Sequence, residues 1–147
     1  MPTATFKSTV NLIEGMHCRA NVRNFTVAMD EPPSLGGTDK AMNPVEMLLC
    51  ALGGCLVISS QAFSRECGVN LKNVSVELEG DLDPDGFLGK NPDIRAGLQD
   101  TRVKIHFDTD SPDENIEKLM QTIEKRCPVS DCLKGQPVPV SIDYVKS

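Results

Sequence analysis

The chain of 147 residues has no tryptophan and only one tyrosine, and its acidic residues outnumber the basic ones to give a formal net charge of −6. With so few aromatic side chains it lacks a stacking surface for single-stranded nucleic acid, and its negative charge repels phosphates. The longest apolar run, residues 47–58, is shorter than the roughly 20 residues that cross a bilayer. The first residues lack the basic-then-apolar order of a signal peptide. We therefore expect a cytoplasmic protein that binds neither nucleic acid nor membrane.

The six cysteines lack the CxxC spacing of common redox and metal motifs. In a cytoplasmic protein, disulfides are rare unless they are catalytic or redox-sensing. Two pairs have the spacing C-x₄-C, namely Cys50 with Cys55 and Cys127 with Cys132. Five residues turn a helix by about 140°, so the first pair would not share a helix face. A zinc site is therefore kept only as an alternative, and we expect no bound metal or cofactor.

The order of the predicted elements indicates an α+β fold in one domain, residues 1–147, rather than a parallel βαβ array. Strands are predicted from alternating apolar and β-branched residues, and helices from apolar residues at helical spacing. The predicted strands cover residues 4–13, 16–22, 24–29, 71–82, 101–107 and 138–145, and the predicted helices cover residues 44–67 and 112–126. Two long loops, residues 30–43 and 83–97, are rich in proline, glycine and aspartate, and the length of the first favours a functional role.

Both predicted helices begin with the same capping pattern. Asn43 and Ser111 are candidate N-caps, each followed by proline and then by a glutamate at the capping-box position. Glu46 therefore has two candidate roles, as the reciprocal cap of Asn43 or as a carboxylate that serves a reactive thiol. Nine residues separate it from Cys55, which is about 180° around a helix. Direct contact would need a bend in the helix or a partner subunit.

The first helix contains the stretch LLCALGGCLV, residues 48–57. Gly53 and Gly54 each cost about 1 kcal/mol relative to alanine in a helix interior. We interpret them as room for a substrate or a second helix beside Cys55, which would then be a reactive thiol. The alternative is that Cys55 is a small buried apolar residue, because free cysteine is among the most buried residue types.

Cys127 is the second candidate thiol. It would be the N-cap of a short helix opened by Pro128, and it follows Lys125 and Arg126. A helix N-terminus and nearby cations favour thiolate over thiol, which would lower the pKa of Cys127. The alternative is an incidental thiol at a helix break. Whether it meets Cys55 depends on the fold, since pairing needs Cα atoms within about 7 Å. The other cysteines are taken as structural; they are Cys18, Cys50, Cys67 and Cys132.

The stretch DEPPSLGGTDKAMNPVEMLLCALGGC, residues 30–55, followed by CPVSDCL at residues 127–133, resembles the OsmC/Ohr family of osmotically inducible and organic-hydroperoxide-resistance proteins. The likeness extends over nearly the whole chain and is strongest to the OsmC-like redox-protein branch. It implies an intertwined homodimer, with antiparallel sheets wrapped around long central helices, and a role in the oxidative stress response.

The resemblance also implies a chemistry. Cys55 matches the family's peroxidatic cysteine and Cys127 its resolving cysteine, so that an organic hydroperoxide, with hydrogen peroxide as a further candidate, would oxidise the pair to a disulfide. An external dithiol, lipoyl-type in some members, would reduce it. The family's peroxidases carry a carboxylate directly after the Asn-Pro pair, whereas here Val45 takes that place and Glu46 follows. The family's peroxidases also carry a catalytic arginine, for which Arg23 is the first candidate.

Arg19 is the rival of Arg23 in this assignment, and Lys40 is a weaker one. Two other classes of protein stay open at this point. A non-enzymatic redox-sensing or ligand-binding module would keep the fold and the thiols without peroxide turnover, and a metal-binding protein would use the cysteines as ligands.

Overall fold

A computed structural model of the protein describes residues 2–135 and 140–145. The chain divides into two compact units, residues 1–50 and 51–147, and the long helix α1, Pro44–Ser64, begins in the first and ends in the second. Antiparallel sheets and one long helix confirm the predicted α+β class. The interpretation of residues 1–147 as a single domain stays a prediction.

The first unit is built on a three-stranded antiparallel sheet of order β1-β2-β3. Its strands are β1, Thr9–Glu14, β2, His17–Val22, and β3, Phe25–Met29. Gly15, with φ of +58°, makes the turn between the first two strands, a backbone conformation that favours glycine. The three predicted N-terminal strands are therefore present, although β1 starts five residues later than predicted.

A buried carboxylate organises the loop that connects β3 to α1. Asp30 is 1% exposed and accepts hydrogen bonds from the Thr38 hydroxyl at 2.7 Å and from the backbone N–H groups of Glu31 at 2.7 Å and Lys40 at 3.1 Å. These hydrogen bonds, that of Thr38 first, hold the pKa of Asp30 well below its usual range. A side chain at Gly37 would collide with the Glu31 carbonyl. The contacts of Asp30 and the close approach at Gly37 thus define the backbone conformation of the loop.

The second unit packs helices against a two-stranded antiparallel sheet. Its further elements are β4, Asn73–Leu82, α2, Pro84–Phe87, β5, Leu98–Asp108, α3, Asp113–Arg126, and α4, Pro128–Leu133. Val76 pairs with Ile105, and Leu78 pairs with Val103. The core of this unit consists of Leu52, Leu56, Cys67, Val69, Leu119, Ile123 and Cys127.

Several predicted boundaries differ from the structure. α1 ends at Ser64, three residues early, and α3 is capped by Pro112 rather than Ser111. The Ser111 hydroxyl instead accepts the N–H of Asn70 at 2.8 Å, so a tertiary contact replaces the predicted cap. The predicted loop 83–97 contains the short helix α2. Of the predicted strand 138–145, residues 138–139 lie outside the described part, and residues 140–145 are not in a strand.

Helix α1 also bears on the expectation that the protein binds no membrane. It is long and apolar enough to cross a bilayer by length and composition, although its uninterrupted apolar run is shorter. The core helix of a soluble protein meets the same criterion, and α1 contributes Leu52 and Leu56 to the core. One such helix is weak support for a membrane span.

Candidate functional site

The two candidate thiols lie in contact. Cys127 Sγ is 2.9 Å from Cys55 Sγ and is oriented as the donor of a thiol–thiol hydrogen bond. Cys55 is half-buried on α1, whereas Cys127 is completely buried. Residues 72 positions apart in sequence therefore form one dithiol, with one sulfur accessible and the other enclosed. Their chemical roles stay predictions.

The corner between α3 and α4 positions Cys127. Because Pro128 disfavours helical backbone at the preceding residue, α3 ends at Arg126 and Cys127 becomes the N-cap of α4, as predicted. The Cys127 N–H donates to the Ile123 carbonyl at 2.9 Å, and its own carbonyl accepts the N–H of Asp131 at 3.0 Å. Both backbone groups of the cysteine are therefore held by the adjoining helices.

The two glycines of α1 have different surroundings. A Cβ at Gly53 would lie 2.8 Å from Cδ1 of Leu78, so the absence of a side chain lets a leucine of β4 pack onto the helix. At Gly54 no atom lies within 4 Å of the Cβ position. The neighbour at Gly53 is therefore a strand side chain. Gly54 leaves an open surface beside Cys55, and room there for a substrate or a second helix stays a prediction.

The predicted lowering of the Cys127 pKa is wrong. Burial, together with the hydrogen bond to Cys55, raises the pKa of the Cys127 thiol above its ordinary value. The N–H of Ser130 and the hydroxyl of Ser59 favour the thiolate but lower the pKa by less. Ser59 is buried on α1, one turn after Cys55. The available sequence signal for this contact was a serine four residues after Cys55, directly after the apolar run 47–58.

Arg126, one of the two cations expected to favour a Cys127 thiolate, is engaged elsewhere. The Arg126 guanidinium donates to the Glu66 carboxylate at 2.8 Å and lies 4.0 Å from the centre of the Phe63 ring. Arg126 therefore binds the C-terminal end of α1 and the residues just after it, which helps to explain why burial dominates the pKa of the neighbouring thiol.

An open, mostly apolar depression of about 620 Å³ adjoins this part of the core. It shares Leu52, Leu56 and Ile123 with the core cluster that contains Cys127, but neither Cys55 nor Cys127 is among its lining residues. Its remaining lining residues are apolar except for Glu124 on α3 and two residues in or just after α4: Val103, Ile105, Phe107, Met120, Glu124, Ser130 and Lys134. The depression has the apolar character and the size range of small-molecule sites.

Glu46 and Arg23 belong to the first unit. Glu46 forms the predicted capping box, in which its N–H donates to the Asn43 side chain at 2.8 Å and its carboxylate accepts the Asn43 N–H at 3.3 Å. Arg23 lies at the β2–β3 turn with φ of 54° and its guanidinium 4.9 Å from the centre of the Phe25 ring. A function of either residue at the thiols stays a prediction.

Sequence reasoning missed Asp30, which holds the loop leading into α1. Its signal was an aspartate at the start of a loop whose Gly-Gly-Thr segment supplies small residues and a hydroxyl donor. In the described ranges, residues 2–135 and 140–145, no group of three or more histidine, cysteine, aspartate or glutamate side chains could hold a metal ion.

A small α+β protein that brings two cysteine sulfur atoms into contact has the features of a redox protein. The family model described as "OsmC-like protein" matches residues 37–143, and the chain belongs to this family. It is 26% identical over 115 residues to a protein of Mycoplasma genitalium named "Hydroperoxide reductase", covering 76% of this chain and 74% of that protein.

Solved structures share the fold. An OsmC-like protein from Mycoplasma pneumoniae superposes with a TM-score of 0.78 at 18% identity, covering 90% of this chain and 89% of that one. An organic hydroperoxide resistance protein from Legionella pneumophila, also described as a predicted redox protein, superposes with a TM-score of 0.66 at 19% identity, covering 92% and 93%. These similarities confirm the predicted family and fold class.

Proposed function

We propose that the protein is a thiol peroxidase that reduces organic hydroperoxides, with Cys55 as the nucleophile and Cys127 as the resolving thiol. Membership of the OsmC family and the name of the Mycoplasma genitalium relative support a peroxide-related redox role. The observation that carries the finer proposal is the 2.9 Å contact between the two sulfur atoms, with Cys127 as the donor.

The first step uses the asymmetry of the pair. The raised pKa of Cys127 keeps its S–H group protonated, so that it can donate the hydrogen bond to the Cys55 sulfur. The Cys55 thiolate attacks the terminal oxygen of ROOH, the O–O bond breaks, and the alkoxide takes a proton and leaves as ROH. Cys55 is then a sulfenic acid.

The second step closes the disulfide. The Cys127 sulfur attacks the Cys55 sulfenic sulfur, its proton combines with the departing hydroxide, and water leaves. An external dithiol, lipoyl-type as a candidate, then reduces the bridge by two thiol–disulfide exchanges and is itself oxidised to a disulfide. We propose organic hydroperoxides as the substrates, with hydrogen peroxide as a further candidate.

We also propose that the protein is a homodimer. The sheet of the first unit exposes large apolar side chains, among them Leu12 at 71% and Phe25 at 63%. Exposed apolar patches mark interaction surfaces in soluble proteins. Light scattering coupled to size exclusion should give about twice the 16.0 kDa chain mass, and a monomer at micromolar concentration would contradict this proposal.

The experiment for the proposed function is steady-state reduction of an alkyl hydroperoxide with dithiothreitol and with dihydrolipoamide. The wild-type protein should turn over and form a Cys55–Cys127 disulfide, identified by peptide mapping. Cys55→Ser should abolish peroxide consumption. In the absence of added dithiol, Cys127→Ser should react once with the hydroperoxide and accumulate Cys55 sulfenic acid. Cys132→Ser is the matched control, because this exposed cysteine ends the same C-x₄-C pair and should leave turnover unchanged.

Two results would contradict the proposed function. Cys55→Ser with full activity would exclude that residue as the nucleophile. Disulfide formation without repeated turnover, with either dithiol, would favour the redox-sensing module instead.

Glu46 and Arg23 are proposed to support the reaction by positioning and charge. Glu46→Gln separates this role from the cap, because glutamine is also accepted at the capping-box position. We expect peroxide consumption to fall while thermal stability is retained, and an unchanged rate would leave Glu46 as a cap only. Arg23→Lys should lower the rate more than Arg19→Lys, since Arg23 is the first candidate for the family's arginine.

A further inference from the structure

Arg126 ties the corner that carries Cys127 to the end of α1. Its guanidinium donates to the Glu66 carboxylate at 2.8 Å and covers the Phe63 ring at 4.0 Å. Phe63 lies two turns after Cys55 on α1, and Glu66 follows the helix. The residue next to one thiol therefore binds the segment that extends from the other thiol.

We propose that Arg126 is a positioning residue for the resolving thiol: by binding Glu66 and Phe63 it holds Cys127 against Cys55. This inference rests on the proposed function in one respect, namely that the two cysteines exchange between dithiol and disulfide. The closer and more constantly two thiols are held, the higher is the effective concentration of one at the other, and the more stable is their disulfide.

The chemistry of arginine suits this contact better than that of lysine. The planar guanidinium can stack on an aromatic ring and still direct N–H groups at a carboxylate, whereas an ammonium group is a compact, strongly hydrated charge. An arginine–aromatic contact and a half-exposed ion pair each contribute a modest free energy. Together they favour the conformation with Cys127 against Cys55 by up to about tenfold in the equilibrium constant. The hydrogen bond from the Cys127 N–H to Ile123 remains when they are lost.

Weakening this contact should act on one step of the cycle. Attack of the Cys55 thiolate on peroxide does not use Arg126, so its rate should be unchanged. Closure of the disulfide should slow, so the Cys55 sulfenic acid survives longer. A second hydroperoxide can then oxidise it to sulfinic acid, with a second ROH released, which removes the enzyme from the cycle.

The test compares Arg126→Gln with Arg102→Gln. Arg102 is a matched control, since its side chain is 47% exposed against 48% for Arg126 and is also ion-paired, to Glu79, Asp81 and Asp100. Each reduced protein is equilibrated with mixtures of reduced and oxidised dithiothreitol, and the Cys55–Cys127 bridge is quantified by mass spectrometry after acid quenching. This equilibrium needs no peroxide and therefore tests the inference apart from the peroxidase activity.

We expect the equilibrium constant for bridge formation to fall several-fold, and up to about tenfold, in Arg126→Gln and to stay at the wild-type value in Arg102→Gln. Arg126→Lys should give an intermediate value, because it keeps the charge and loses the planar stacking. With excess alkyl hydroperoxide, Arg126→Gln should also collect more Cys55 sulfinic acid per turnover than the control. Phe63→Leu, which keeps the apolar contact with the core, gives the same comparison if Arg126→Gln does not fold.

Equal equilibrium constants in the wild type, Arg126→Gln and Arg102→Gln would overturn the inference, as would a wild-type protein that forms no bridge in oxidised dithiothreitol. A wild-type protein that equilibrates normally with dithiothreitol but consumes no peroxide would overturn the proposed function alone.

Discussion

Replacing Gly53 by alanine should destabilise the protein, although the same change in an open helix stabilises it. The gain in helix propensity is about 1 kcal/mol. The added methyl group, however, would lie 2.8 Å from Cδ1 of Leu78, closer than carbon atoms approach in folded proteins. Overpacking of this kind costs about 1–3 kcal/mol. We therefore expect a net loss in the free energy of unfolding of up to about 2 kcal/mol.

A double-mutant cycle isolates this contact. Leu78→Ala alone should lower the free energy of unfolding by about 2 kcal/mol, since the side chain is half-buried against the core. In the Leu78→Ala background the collision is gone, so Gly53→Ala should recover its propensity gain of about 1 kcal/mol. The sign of the Gly53→Ala effect thus reverses, and the coupling energy between the two positions should be about 1–3 kcal/mol.

The cycle is measured by urea denaturation of the reduced wild type, the two single variants and the double variant. All four are measured at one protein concentration, and their slopes m are compared. Effects that add to within about 0.5 kcal/mol would show that the two side chains do not meet, and they would refute the explanation of the first glycine. A stabilised Gly53→Ala single variant would refute it as well.

Three further predictions concern charge and caps. Hydrogen bonds hold the pKa of Asp30 below its unfolded value of about 3.9. The contribution of Asp30 to the free energy of unfolding is therefore fully present above that pH and is lost as the pH falls below it. Asp30→Asn should therefore lower the Tm at neutral pH and flatten its acid dependence, and parallel Tm curves would contradict this. Burial raises the pKa of Cys127, so the free energy of unfolding of the reduced protein should fall as the pH rises above about 8.5. Urea denaturation at a series of pH values measures this loss, which should be absent in Cys127→Ser. Asn43→Ala removes the acceptor of the Glu46 N–H and should cost about 1 kcal/mol in denaturant, whereas an unchanged midpoint would mean that the cap is not formed.

Much of the fold could be predicted because its determinants are local. The Asn43-Pro44-x-Glu46 pattern marks the start of α1 correctly, since each group satisfies a backbone donor within three residues. The strands of both sheets follow from alternation for the same reason. The predicted cap at Ser111 does not form, because the Ser111 hydroxyl accepts a hydrogen bond from the N–H of Asn70 instead. Asn70 is distant in sequence, so no local pattern reveals this contact.

The candidate site was predictable in its members but not in its geometry. Cys55 and Cys127 stand out by their neighbours in sequence, yet only the packing of α3 and α4 against α1 brings their sulfur atoms to 2.9 Å. Arg126 shows the limit of a sequence argument most clearly. Its adjacency to Cys127 indicated a cation for the thiolate, whereas its side chain binds Glu66 and Phe63.

The pKa of Cys127 moves opposite to the predicted direction because burial outweighs the helix N-terminus. The N-terminus of a helix contributes a partial charge, and α4 has only six residues, while complete burial removes the solvation of a full charge. The loss of solvation has the greater effect, so the enclosed thiol keeps its proton. A dithiol with one enclosed and one accessible sulfur is then chemically asymmetric, because Cys127 keeps a proton that it can donate in a hydrogen bond to Cys55. The roles proposed for the two cysteines thus rest on the difference in burial between them, which the order of residues along the chain does not contain.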